Sequence, residues 1–318
     1  MEFLKKINSK AKADSNTGFG TNASNYGGRF ITKKGYANVK KTGVGLFESI
    51  SWYHTMLNIP KWKFLFIVLL FYFIVNLFFG GLYYIVGTEY LIGITATSSV
   101  DRFGQALFFS IQTLTTVGYG HISPRGFTTS FIAAVEALFG LLSFAIATGL
   151  FYGRFSKPKA HIKFSENALI APFQNETALM LRLSPFKNTN LTDAEAKITL
   201  GMKLYENGQL VNKFYSLDLE ISKINALNLS WTLVHPITEN SPLYNLTKED
   251  YESKEGEFLV FLKLFDDMYS ATVVKQCSYS FNEVVFGAKF LPMYSKSTTQ
   301  NETILDIDKL NYFEKIKL

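Results

Sequence analysis

Residues Thr115-Thr116-Val117-Gly118-Tyr119-Gly120 carry the chemistry of this 318-residue chain, and most of that chemistry belongs to their backbone. Four copies of such a segment, set around a common axis, can turn carbonyl oxygens inward and replace the water shell of a dehydrated potassium ion. Gly118 and Gly120 supply the freedom this needs: both reach φ > 0 cheaply, so successive carbonyls can face one side instead of alternating as in a strand. The Thr116 hydroxyl adds an oxygen at the inner end. Potassium is therefore the expected ligand of Thr116, Val117, Gly118 and Tyr119 within a filter at 115–120, and no organic cofactor is implied. Gly18-Phe19-Gly20 and Gly43-Val44-Gly45 repeat the Gly-x-Gly pattern without flanking apolar spans, and both read as flexible loop.

The flanking segments say how such a filter is held. Residues 103–114 form a helix of about three turns, too short for a bilayer core of about 30 Å and of the length of a re-entrant pore helix. Irregular backbone at membrane depth is tolerated where it is buried in protein or lines water. Residues 64–86 contain no charged side chain, and 128–153 contain one, Glu136, so each can cross a bilayer as a helix. An ionisable group in such a span is expensive. Glu136 reads either as a structural partner of the pore helix and the backbone behind the filter, the favoured reading, or as a direct ion ligand.

Residues 1–63 hold eleven Lys or Arg against three acids, whereas 87–127 hold only Arg102 and Arg125, which predicts that both termini are cytoplasmic in a multi-pass cell (inner) membrane protein. The net charge of +6 is then mostly a topology signal, and no basic patch with stacking aromatics points to nucleic acid. No early apolar core suggests a cleavable signal peptide. Cys277, alone, excludes an intrachain disulfide and reads as a packed thiol. Asn-x-Ser/Thr triplets such as Asn175-Glu176-Thr177 fall in segments expected in the cytoplasm.

The remaining organisation follows composition. Residues 1–45 are polar and Gly-rich, a disordered or extended N-terminal arm. Residues 46–59 place Leu46, Phe47, Ile50, Tyr53 and Leu57 on one face, an amphipathic helix suited to the membrane interface, and Pro60 breaks it. The pore domain spans 60–157. Aromatic residues gather near the inner end of its second span at Phe144, Phe151, Tyr152 and Phe155, where rings either close a pore or pack and anchor the helix. From 158 to 318 the chain is mainly β, with short alternating runs at 179–183, 196–204, 227–231 and 258–264, which suggests a sandwich or barrel. The stretch after about Tyr294 carries no clear pattern.

The chain resembles the inward-rectifier potassium channel family, closest in style to its prokaryotic branch. The filter alone fits any potassium channel. The resemblance rests also on Arg29-Phe30-Ile31-Thr32-Lys33-Lys34-Gly35-Tyr36-Ala37-Asn38-Val39, Gly153-Arg154-Phe155-Ser156-Lys157-Pro158-Lys159, Trp231-Thr232-Leu233-Val234-His235-Pro236-Ile237-Thr238, Ser241-Pro242-Leu243-Tyr244 and Cys277-Ser278-Tyr279-Ser280. It implies a homotetramer with two transmembrane helices per subunit, an interfacial slide helix and an immunoglobulin-like cytoplasmic β-sandwich. It also implies a pore cavity and gate at Phe144, Thr148 and Tyr152. Lys61, Lys63, Arg154, Lys157 and Lys159 stand where the family meets lipid headgroups; anionic lipid attracts juxtamembrane cations at about 1 kcal/mol each, and plain positive-inside anchoring explains the same residues. Asp266 or Asp267 falls near the family's cytoplasmic pore acids, or in a solvated turn. Gln112 and His121 replace acids common in the family, and Phe144 stands where strong rectifiers place one.

These readings converge on a voltage-independent, potassium-selective channel gated by its cytoplasmic domain and by lipid, with a membrane-anchored sensor or scaffold around a vestigial pore as the alternative. Four scattered histidines, His54, His121, His161 and His235, compose no catalytic or metal-ligand set, so an enzyme is not expected.

Overall fold

The computed structural model describes residues 12–14, 16–20, 28–45, 51–206, 208–297 and 301–318. They divide into two units, Lys41–Lys157 and a second made of Met1–Lys40 with Pro158–Leu318.

Among its described residues the first unit holds four α-helices, α1 (Trp52–Asn58), α2 (Lys61–Val86), α3 (Ser99–Leu114) and α4 (Phe127–Phe155), and a short antiparallel pair, β1 (Leu91–Ile92) with β2 (Ser123–Pro124). Leu46, Phe47 and Ile50 of the expected interfacial helix lie outside the described residues; its described part is α1, capped by the Ser51 side chain, which accepts from the His54 N–H. Pro60 at the head of α2 separates the two helices, because proline is tolerated at a helix start but not inside. With 26 and 29 residues, α2 and α4 are about 39 and 43 Å long, enough to cross a bilayer core. Their apolar side chains, among them Phe66, Leu69, Phe73, Leu138 and Leu141, are exposed on the single chain.

With 16 residues, α3 is about 24 Å long and cannot cross. It begins at Ser99, four residues before the expected 103. Ser98 caps it by accepting from the Asp101 N–H, so a polar first turn with no apolar period is nonetheless helical. Two glycines let the long helices approach α3: a Cβ on Gly80 would lie 3.1 Å from Leu107 Cα, and one on Gly140 would lie 2.1 Å from the Leu114 carbonyl oxygen.

The second unit is a β-sandwich. One five-stranded sheet runs β11 (Ala271–Ser280), β10 (Gly256–Asp266), β6 (Leu191–Glu206), β7 (Gln209–Leu217), with β8 (Lys223–Ala226) also on β6. The other runs β12 (Val284–Phe286), β4 (Ala168–Phe173), β5 (Glu176–Pro185), β3 (Ile162–Phe164), with β9 (Trp231–Pro236) also on β5. Leu179, Leu181 and Leu183 of β5 meet Ile198, Leu200 and Met202 of β6 and Phe258, Val260 and Leu262 of β10 in one core. The run 227–231 is not a strand: Leu227 is buried and its N–H donates to the Leu191 carbonyl, after which the chain bends at 228–229 and β9 starts only at Trp231.

The described part of the N-terminal arm and the C-terminal stretch pack on this sandwich. In the arm, Ala13 bridges Tyr215, and Phe19 stacks among Phe30 and Phe214 with ring centroids 5.1 and 6.2 Å away, so Gly18-Phe19-Gly20 is a seated segment and not a flexible loop. Glu257 accepts from the Phe30 and Ile31 N–H groups, and the Ser278 hydroxyl donates to the Ile31 carbonyl. The C-terminal stretch, patternless in sequence, forms β14 (Tyr294–Lys296) with β15 (Thr303–Leu305), and β16 (Phe313–Lys315) pairs with β13 (Ala288–Phe290). Arg182 fastens it: the buried guanidinium donates to carbonyls of Leu291, Lys309, Leu310 and Tyr312 and lies over the Phe290 ring. Burial lowers its pKa to about 10.

Candidate ion-conduction site

The filter segment leaves α3 through its own C-terminal carbonyls. Thr115 turns back on the helix, its N–H and hydroxyl both donating to Ile111 O at 3.1 and 2.7 Å. The next residues reverse direction around one acceptor, since Val117 N–H and Gly118 N–H both donate to Gln112 O, at 2.9 and 3.2 Å. Thr116, Gly118 and Gly120 have φ of 59°, 52° and 77°, whereas φ is not positive at Val117 and Tyr119. The backbone therefore changes hand at every second residue. Alternation of this kind rotates successive peptide planes so that their carbonyls can share a side, which a pleated strand cannot do. Gly118 and Gly120 take it without strain, and Thr116 holds a left-handed angle uncommon for a non-glycine residue. Val117 and Tyr119 are 52% and 78% exposed, so this chain alone neither covers nor closes the segment.

Behind the filter lies a polar cluster that joins all three longer helices. Glu136, fully buried on α4, accepts from the Tyr83 hydroxyl of α2 at 2.6 Å and from the Ser110 hydroxyl of α3 at 2.5 Å. Ser110 also stands 3.3 Å from both Asn76 oxygens, and Asn76 donates to Tyr72 O. Of the two readings of Glu136, the partner of the pore helix is the one this geometry matches. Tyr83, Ser110 and Asn76 were not singled out by sequence reasoning; a hydroxyl or amide in an apolar helix was the available signal.

Phe144, Thr148 and Tyr152 recur every fourth residue on α4, share one face and are exposed on the single chain. Tyr152 is 73% exposed at the end of the helix. Among the basic residues, Lys61, Lys63 and Lys157 are exposed, with Lys157 donating to Asn58 Oδ1 at 2.8 Å. Arg154 differs from them. Its guanidinium donates to the Met56 and Ile59 carbonyls and covers the Phe64 ring at 4.5 Å, so it ties α1 to α4. Nearby, α1 meets α4 at Gly153, where a Cβ would touch Tyr53 and Leu57. Lys159 is an exposed residue of the β unit.

Asp266 and Asp267 are adjacent, but Asp266 is the last residue of β10 whereas Asp267 opens the turn after it. Asp266 is fully buried and accepts from Met268 N–H through Oδ1, so it does not face a water-filled path, and its reading as a pore acid is corrected. Its field also reaches His161, where burial and Lys187 hold the imidazole below its usual range and Asp266 opposes them. Asp267 is exposed and accepts from Asn190 and Thr192. Cys277 is buried, which pushes its thiol up to about 11, out of the reactive range.

Two family models match this architecture unit by unit. One, described as an ion channel, takes in residues 62–157, and the other, described as the inward rectifier potassium channel C-terminal domain, takes in 162–318. The chain belongs to the inward-rectifier potassium channel family. The inward rectifier potassium channel Kirbac3.1 of Paramagnetospirillum magnetotacticum is 28% identical over 288 residues, 89% of this chain and 95% of that one. The ATP-sensitive inward rectifier potassium channel 12 of Gallus gallus is 24% identical, over 63% of this chain and 49% of its own length. The inward rectifier potassium channel irk-1 of Caenorhabditis elegans is 23% identical, over 88% and 56%. The chain thus spans about half the length of these two animal relatives. As a member of this family it is a membrane channel rather than an enzyme, with two apolar helices followed by a β-sandwich.

Proposed function

We propose that four copies of this chain surround a pore that conducts potassium passively and selectively, with residues 115–120 as its filter. The observation that carries the proposal is the backbone of Thr116 to Gly120: left-handed angles at every second residue, with the Val117 and Gly118 N–H groups drawn back onto Gln112 O. With amides turned to the pore helix, the carbonyls are left for an ion. Exposed Val117 and Tyr119 supply surface for neighbouring copies, and the face bearing Phe144, Thr148 and Tyr152 lines the cavity below, with Tyr152 at the gate.

The remaining assignments rest on charge. The excess of Lys and Arg before α2 orients both termini to the cytoplasm. Lys61, Lys63, Lys157 and Lys159, exposed and close in sequence to the span ends, recognise anionic headgroups, whereas Arg154 braces α1. Gating belongs to the β-sandwich. The test is purified protein in liposomes, with barium-sensitive rubidium uptake driven by internal potassium. Uptake with a potassium load and not with a sodium load is the expected outcome; equal uptake with both would defeat the selective-pore reading.

A further inference from the structure

We infer that Glu136 is a positioning residue for ion selectivity, acting through Ser110 to set where α3 presents the Gln112 carbonyl to the filter. The inference rests on the pore reading above. An acid inside a membrane span is costly and persists only with a compensating role. Here each carboxylate oxygen accepts one hydroxyl, from Tyr83 of α2 and from Ser110 of α3, so one side chain pins three helices at a single depth.

The pin does not act alone. On α4 the polar group Glu136 is one turn from Gly140, whose missing Cβ admits the Leu114 carbonyl; on α2 the polar groups Asn76 and Tyr83 flank Gly80, whose missing Cβ admits Leu107. Both long helices thus hold α3 by the same device, a glycine for close approach and a hydrogen-bonding side chain about a turn away. Close backbone contact on two sides stops α3 from tilting, and the Ser110 bond stops it from sliding or turning about its axis. Ser110 lies two residues before Gln112, and Gln112 O is the acceptor that holds both Val117 and Gly118. A small shift of α3 therefore moves the amides of the two central filter residues, and with them the carbonyls that face the ion.

The test compares native full-length protein with Glu136→Ala, Glu136→Gln, Ser110→Ala and Tyr83→Phe in liposomes, reading the ratio of barium-sensitive rubidium uptake under potassium and sodium loads. A stability role shared by all buried contacts would lower the amount of assembled protein without changing this ratio. We expect Glu136→Ala to lower the ratio roughly tenfold, the equivalent of one buried hydrogen-bonding partner lost. Ser110→Ala should lower it in the same direction, and adding it to Glu136→Ala should lower it no further, because both break one link. Glu136→Gln, which keeps length and can bond both hydroxyls, should restore most of the ratio. A native ratio in both Glu136→Ala and Ser110→Ala would overturn the inference, and so would Glu136→Gln falling as far as Glu136→Ala, which would assign the effect to charge and not position. If Glu136→Ala does not assemble, Ser110→Ala decides alone, since removing one hydroxyl leaves little void. Equal uptake by the native protein under both loads would defeat the pore reading itself, whereas a selective native channel with unaltered variants defeats only this inference.

Discussion

Glu136 in the helical unit and Arg182 in the β-sandwich are both buried charged side chains with no ionic partner among the described residues, and they are satisfied in opposite ways. Glu136 accepts from two side-chain hydroxyls on two other helices. Arg182 donates to the carbonyls of Leu291, Lys309, Leu310 and Tyr312 at the far end of the chain. The difference follows from what each environment leaves free. Helix backbones bond internally, so a buried acid among helices must find side chains. An irregular tail has spare carbonyls, and a guanidinium with five donors can gather several of them at once. In one unit the buried side chain's hydrogen bonds fix helix position; in the other they fix a terminus.

The comparison breaks first at Arg182. Arg182→Ala should release the tail, costing about 3 kcal/mol and so about a hundredfold of amide protection over residues 307–315, read by hydrogen exchange. Unchanged protection there would remove Arg182 from its role. The helical side should yield less: Tyr83→Phe takes one of two hydroxyls from Glu136, and buried bonds between membrane helices average near 0.6 kcal/mol, so about 1 kcal/mol is expected as a fall of a few degrees in the melting of the solubilised protein. A loss as large as that at Arg182 would erase the distinction drawn here.

A third case sharpens it, because the N-terminal strap does use ion pairs. Arg29 donates to Glu283 at 2.8 Å and Lys33 pairs with the same carboxylate at 2.8 Å. Burial alone would raise Glu283, but Lys33, the Ser280 N–H and Arg29 outweigh it and hold the group below 4.5. Its contribution is complete above that value and is lost as pH falls through the lowered pKa. Glu257 behaves oppositely: burial raises it despite Ser278, the Phe30 and Ile31 N–H groups and Arg29. Its contribution is greatest below the ordinary glutamate value and declines as pH rises through the raised one. Exchange of the residue 29–37 amides should therefore change severalfold with pH on both sides, with Glu283→Gln removing the acid limb and Glu257→Gln the other. A profile that keeps both limbs in both variants would refute the assignment.

How much of this was readable beforehand depends on how local the cause is. The filter was readable because a demand on backbone angles becomes a demand on residue type, as at Gly118 and Gly120. Glu136 stood out as the one acid in an apolar span, but Tyr83 and Ser110 lie 53 and 26 residues away and carried no mark. The first turn of α3 was missed because a cap, not periodicity, makes it helical. Arg182 sits in an alternating strand like any outward-facing polar residue. Asp266 and Asp267 look equivalent side by side, and only the end of β10 between them leaves one buried on the strand and the other exposed in the turn.

Composition and order alone committed this chain to two apolar helices, a short helix and glycine-rich turn between them, and a β-rich remainder, because hydropathy, length and backbone freedom are properties of neighbouring residues. The choice of which buried polar atoms meet was made elsewhere. It depends on where three helices cross and where the described arm and the C-terminal stretch land on the sandwich, and those positions follow from packing summed over many segments, which no single one encodes.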